Sequence, residues 1–210
     1  VVPTGLWAYR LGSNRTLLGG SFSEGGNVVQ WALDNLKLPP IEQLNSELTK
    51  LKPAQHGINV LPFIAGERAT GWSTSATGVL EGVRISTTPI EILQAMLESV
   101  SYRFAMVADL LLPGVKSGYQ MIASGGAIQN SPWWLQTMCD VLGVPVGVSA
   151  EQQDTSRGTA VLALNALGVW DSLETHHADI AETYEPNSTN AEIYTEGRQR
   201  QSELYSRLLG

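Results

Sequence analysis

Gly125 and Gly126 stand between a short apolar run, Gln120–Ala123, and a helical pattern that begins near Ser131. With no Cβ, two glycines let the backbone turn tightly and let a flat or anionic group come close. Pro132 suits the first helical position, where its missing N–H costs nothing. Free N–H groups at such a helix start, with the helix dipole, favour a phosphate or the polar edge of a nucleotide. Asn130 could hydrogen-bond a base, a ribose or a phosphate. The structural alternative is a plain Gly-Gly turn with Asn130 as a helix cap, and the stretch lacks the lysine of a P-loop.

Other residues offer less. In "GERATGW", Gly66–Trp72, Glu67 and Arg68 could meet a ligand at a strand end or form a local ion pair that stiffens the loop. Ser86-Thr87-Thr88 opens a long helix. Thr88 with Glu91 makes a capping box, which leaves Ser86 and Thr87 open to ligand duty. Asp154-Thr155-Ser156 reads as another cap. Trp133 and Trp134 read as core and interface bulk, and Cys139 as a buried, inert thiol. His56, His176 and His177 have no ligand spacing with Cys or Glu, so no metal site is expected. No Gly-x-Ser-x-Gly, no carboxylate pair at a strand end and no Cys/His pair occurs, so the chain offers no general base or nucleophile of its own.

Periodicity supplies the elements that must position these groups. Leu6–Leu11 and Arg15–Phe22 flank Gly12-Ser13-Asn14 and read as a β-hairpin. Ser23 can cap a helix that runs to about Leu36, and Pro39-Pro40 stop it. A weaker helix spans about Ile41–Leu51, and a buried strand about Asn59–Ile64. Ile92, Met96, Val100 and Phe104 recur every four residues, so a buried helix starts at Pro89. Strand Gln120–Ala123, a helix over about Ser131–Leu142 and strand Val144–Val148 follow. A helix then runs from Asp154 to about Leu167, where small Gly158, Ala160 and Ala163 suit close packing on a sheet. Asp171–Asn190 is polar and irregular, and Asn190–Leu209 forms a last helix. A hairpin followed by alternating strands and helices predicts one mixed-sheet α/β domain.

Composition bounds the partners. A chain of 210 residues can bury about 70% of its unfolded surface without a staple. Its net charge of −7, with no run of Lys or Arg, argues against nucleic acid or an anionic membrane as partner. One cysteine excludes an intramolecular disulfide and fits a reducing cytoplasm. No stretch approaches the length of a membrane span. Sequons at Asn14 and Asn187 read as chance. The chain opens on Val1-Val2-Pro3, which suggests a cut end.

Six blocks keep the order seen in one known family: "GLWAYRLGSNRTLLGGSFSEGGNVVQWALDNL", "LPFIAGERATGW", "TGVLEGV", "AMLESVSYR", "SGGAIQNSPWWLQTMCDVLGVPV" and "SRGTAVLALNALGVW". Over about residues 3–185 the chain resembles the C-terminal half of FGGY carbohydrate kinases. The GERA-x-x-W loop and the Gly-Gly before "NVVQW" are most similar to gluconokinases, then xylulokinases. The resemblance implies an actin-like, ribonuclease H-type ATPase domain, a mixed sheet flanked by helices, with ATP and Mg²⁺ as cofactors. It maps nucleotide contacts onto Gly125, Gly126, Ala127 and Asn130, and a further one onto Ser86. Thr70 stands where the family usually has proline, and the stretch from Gly126 to Gln136 is one residue longer than in several members.

The resemblance also implies that the sugar-binding N-terminal domain, the general-base aspartate and the first hairpin of this domain belong to polypeptide outside this chain. The expected partners are then ATP or ADP, a sugar or sugar acid with gluconate favoured, and that N-terminal domain; a homodimer is also allowed. This chain alone should be inactive. The competing expectation is a non-catalytic module that pairs with a separate N-terminal partner.

Overall fold

The computed structural model describes residues 1–12, 15–173 and 179–210. Asn14, His176 and His177 lie outside the described residues. The chain opens with an antiparallel hairpin, β1 (Trp7–Leu11) and β2 (Arg15–Gly19), followed by helices α1 (Gly26–Asn35) and α2 (Ile41–Thr49). A second antiparallel pair, β3 (Asn59–Leu61) and β4 (Val79–Glu81), precedes the central helix α3 (Pro89–Leu111). Then come β5 (Met121–Ala123), the four-residue α4 (Gly126–Gln129), α5 (Pro132–Leu142), β6 (Val146–Ser149), α6 (Asp154–Ala166), β7 (Ile180–Tyr184) and α7 (Ser188–Leu209).

The sequence reading of α3 is the most fully met. Thr88 Oγ1 accepts from the Glu91 N–H and the Glu91 carboxylate accepts from the Thr88 N–H, with Pro89 in the first turn. From Leu93 to Arg103 the helix is buried all round, because α1, α2, α5, α7 and β3 all pack on it. Val28 and Ala32 of α1, Leu44 of α2 and Trp134 of α5 meet Leu93 and Leu97 in the main core. Trp134 is fully interior, and its Nε1–H donates to the Leu97 carbonyl and the Ser101 hydroxyl. Cys139 is buried too, and burial pushes its thiol up to about 11.

Four expectations need correction. Ser23 does not cap α1: Gly25 is the N-cap, without a side-chain bond, and the Asn27 side chain accepts the Gly25 N–H instead. Asp154 does not cap α6 either, since Gln153 holds that position and Asp154 Oδ1 accepts from the Ser149 hydroxyl. The small residues of α6 do not pack closely on a sheet, because no residue of that helix is buried. The interval 171–190 contains β7, which pairs antiparallel with β6 through a bulge at Val148/Ser149. Asn187 caps α7, its side chain accepting the Thr189 and Asn190 N–H groups.

The strands among the described residues form three small sheets, not one. β5 runs parallel to β6 and β6 antiparallel to β7, so the mixed sheet is this trio. The hairpin is separate from it: β1 pairs only with β2, and β5 only with β6. Each keeps a free edge.

Candidate functional site

An open trough of about 790 Å³ lies between the end of β2 and the strand β5. Its floor is the second half of α3, including Phe104, Val107 and Leu111. One wall carries Gly19, Gly20 and Phe22, and the other carries Met121, Ile122 and Ala123. Phe22 stacks on Phe104 with ring centroids 4.5 Å apart. Phe104, in register with the apolar face, remains 38% exposed because it lines the open trough.

Two glycine pairs meet at one end of the trough: Gly25-Gly26 before and at the start of α1, and Gly125-Gly126 before and at the start of α4. A Cβ on Gly26 would stand 3.1 Å from the Ala127 Cβ, so the two helix starts touch. Gly125 has φ +108°, which only glycine adopts without strain. Gly25 is extended, at φ −179°, and a Cβ there would meet nothing within 4 Å. Its packing does not demand glycine. At Gly126 an added Cβ would find only the Asn130 amide, at 4.0 Å. The chain therefore leaves uncovered main chain at both helix starts, where N–H groups have no intrahelical partner.

The loop differs from expectation in its second half. The helix after the glycines begins at Gly126, and α5 starts afresh at Pro132. Asn130 ends α4, and its Nδ2 donates to the Gly126 carbonyl at 2.8 Å. It is thus neither the cap of α5 nor a free amide; Ser131 holds the N-cap of α5 without a side-chain bond. Gln129 anchors the loop by donating to the Ser149 and Glu151 carbonyls. Gly125, Gly126 and Ala127 line the trough; Ser86 does not. Ser86 is exposed just before the first turn of α3, whereas the trough uses the last turns, some 24 Å along the axis from Thr88 to Phe104 at ~1.5 Å per residue. The structure brings together Gly125, Gly126 and Ala127 with Gly25 and Gly26, which the residue-by-residue reading passed over. The signal was present in the sequence as a second Gly-Gly directly before an amphipathic helix.

The GERATGW loop also pairs otherwise than expected. Glu67 is buried and binds the equally buried Arg103 of α3, 36 residues away, rather than Arg68. Its carboxylate also accepts from the Gly71 N–H and the Tyr205 hydroxyl of α7. Arg103 donates in addition to the Ala69 carbonyl, and the Ala69 N–H donates to the Ser21 carbonyl. Arg68 is exposed and lies over the Trp72 ring. The loop thus clamps the strap Ser21–Gly25 that leads into α1. Within that strap Glu24 is 3% exposed, and its Oε1 has no hydrogen-bond partner. Burial raises the Glu24 carboxyl above its ordinary range; nearby main-chain N–H groups and Arg103 oppose the shift, and Glu67 adds to it.

The profile of the FGGY family of carbohydrate kinases, C-terminal domain, matches residues 5–167. The chain belongs to this family. It is 27% identical over 189 residues to a glycerol kinase of Lactococcus lactis, covering 90% of this chain and 37% of that protein. It is 26% identical over 202 residues to a gluconokinase of Bacillus licheniformis, covering 90% and 39%. Solved gluconate kinase and xylulose kinase structures from Lactobacillus acidophilus superpose with a TM-score of 0.85 each, at 24% and 25% identity, over 97% of this chain and 42% of theirs. A Plasmodium falciparum glycerol kinase solved with ADP gives 0.76 at 22% identity, over 98% and 42%. The fold is therefore that of the actin-like domain of FGGY kinases. The FGGY chain described here spans less than half the length of these relatives. Among its described residues no helix is long and apolar enough to cross a membrane.

Proposed function

We propose that this FGGY domain holds the nucleotide of an ATP-dependent cytoplasmic kinase that phosphorylates a carbohydrate hydroxyl, with gluconate the favoured acceptor. The observation that carries the nucleotide reading is the pair of glycine-flanked helix starts meeting at one end of the trough. A side chain at Gly25 or Gly126 would cost the protein little in packing, and its absence leaves main-chain donors open to a polyphosphate. The ADP in the Plasmodium relative supports the same ligand class. Gluconate rests on the GERA-x-x-W loop and on the gluconokinase relative.

ATP would supply the phosphoryl group and the anionic charge. Gly26, Gly125, Gly126 and Ala127 would bind and orient its phosphates through main-chain N–H groups, while the Gly25 N–H stays with the Asn27 side chain. Asn130, already bonded to Gly126, would hold the loop in shape. Ser86 is proposed to contact nucleotide only if polypeptide outside this chain brings the ligand to it. Among the described residues no group of three acidic, His or Cys side chains could hold a metal ion. Mg²⁺ would come with the phosphates and neutralise part of their charge.

The general base and most sugar contacts would lie on an N-terminal domain outside this chain, closing on the trough to exclude water and align the transfer. The first hairpin of this domain would also come from outside. The free edge of β5 and the apolar trough beside it favour that assignment, since an unpaired edge over an apolar floor suits another strand. The same features fit the second reading, a non-catalytic module paired with a separate partner. Size-exclusion chromatography across concentrations, with and without that partner, separates the readings: an inert monomer removes the pairing version.

The nucleotide reading is tested by titrating ADP into the wild-type chain and Gly126→Trp. The indole should fill the end of the trough and weaken binding at least tenfold. Equal affinities would leave only a turn. No sugar kinase turnover is expected from this chain alone.

A further inference from the structure

We propose that Glu24 is a positioning residue that holds a proton while the Gly25-Gly26 turn receives a polyphosphate, so that nucleotide affinity falls as Glu24 ionises. The inference rests on the nucleotide reading above.

Two buried carboxyls share one cation. Arg103, from α3, gives its Nη2 to Glu67 and to the Ala69 carbonyl, and its Nε has no hydrogen-bond partner. Glu67, from the loop after β3, is further held by Gly71 and by Tyr205 of α7. Glu24 is left as the odd acid, interior and with one oxygen unmatched. With both acids ionised the centre carries 1 − 2 = −1; with Glu24 protonated it is neutral. Arg103 and Glu67 are the charged groups that act on Glu24 from neighbouring elements.

This excess charge would sit one residue before Gly25, where the start of α1 opens into the trough. Two effects then act in one direction. A carboxylate in a low-dielectric site repels an arriving polyphosphate. Its own need for water also pulls the strap away from the Ala69 loop, loosening the turn. The strap has little slack, because Ser21 is bonded to Ala69 and a Cβ on Gly20 would lie 3.1 Å from the Ala69 Cβ.

The test compares the wild-type chain with Glu24→Gln, which keeps the shape and cannot ionise. ADP is titrated calorimetrically across pH in two buffers of different ionisation heat. ADP titrates as well, so the difference between the proteins is read. Above the folded pKa of Glu24 the wild-type affinity should fall relative to the variant, approaching about tenfold per pH unit, the limit for one linked proton. Wild type should also take up more protons on binding. Identical pH profiles and identical proton uptake would overturn the proposal.

A second readout needs neither ADP nor the variant. The Val28 N–H, bonded to the Gly25 carbonyl at 3.0 Å, reports the closed turn. Its protection factor in the wild type should drop as pH rises, and a pH-independent value would overturn the proposal. If ADP binds at no pH, the nucleotide reading fails and Val28 alone decides the role of Glu24.

Discussion

Two buried acid centres face α3 little more than one turn apart, and they are built differently. Glu98 is 1% exposed and matched on both oxygens. The Ala54 N–H and the Gln94 amide donate to Oε1, at 3.1 and 2.9 Å, while His56 Nε2 and the Tyr102 hydroxyl reach Oε2. The His56 Nδ1 accepts the Ile58 N–H, so the ring proton belongs on Nε2, facing the carboxylate. The Glu24–Glu67–Arg103 centre has a surplus acid and two unmatched polar atoms. The satisfied centre lies where α3 is wrapped on all sides and joins loop 52–58 to the core. The unsatisfied one lies beside the trough. Full matching marks structure, and mismatch at a cleft marks a place where a further charge changes the balance.

The largest expected effect breaks the unsatisfied centre. Arg103→Met strands Glu67 and should cost about 4 kcal/mol of stability, as removing one partner of a buried pair does. Urea unfolding measures it, and a loss near zero would show that Glu67 finds water. Glu98→Ala should cost less, about 2–3 kcal/mol, by leaving the Ala54 N–H and the Gln94 amide unpaired. If the order of these two losses is reversed, the contrast between the centres fails. Thr88→Ala removes one half of the capping box at the far end of α3 and should cost about 1 kcal/mol without changing nucleotide affinity.

Glu24→Gln sharpens the comparison through pH. The folded pKa of Glu24 is raised above its ordinary value of 4.5. Its contribution to stability is therefore fully present below that value and lost as pH rises through the folded pKa. Relative to wild type, the variant should gain stability with rising pH. The smallest effect concerns Cys139. With the thiol buried and pushed up to about 11, a thiol reagent at neutral pH should leave the native chain unmodified and react fully after unfolding.

Legibility in the sequence followed the range of the interactions. The caps and apolar period of α3, the hairpin and α5 are local patterns and were readable as such. Strands β4 and β7 are short and largely exposed, so no alternation announced them. The pairing of Glu67 with Arg103 rather than Arg68 crosses 36 residues, and no spacing rule reaches that far. The family blocks pointed to the Gly125-Gly126 loop, but only the fold shows Gly25-Gly26 beside it and Ser86 elsewhere. The uncovered face of α6 contradicts its small-residue pattern, because no described element packs there closely enough to bury it.

Helix α7 carries a consequence for the order of assembly. Its Gln201 amide donates to the carbonyls of Val60 and Ser99, and its Tyr205 hydroxyl to Glu67, so groups on early segments draw further partners from a helix made after them. At Gly197 the helix passes so near the Tyr102 ring that any side chain would collide. A growing chain that has emerged only as far as β7 lacks these side-chain donors, so the domain can lock shut only when synthesis has delivered α7.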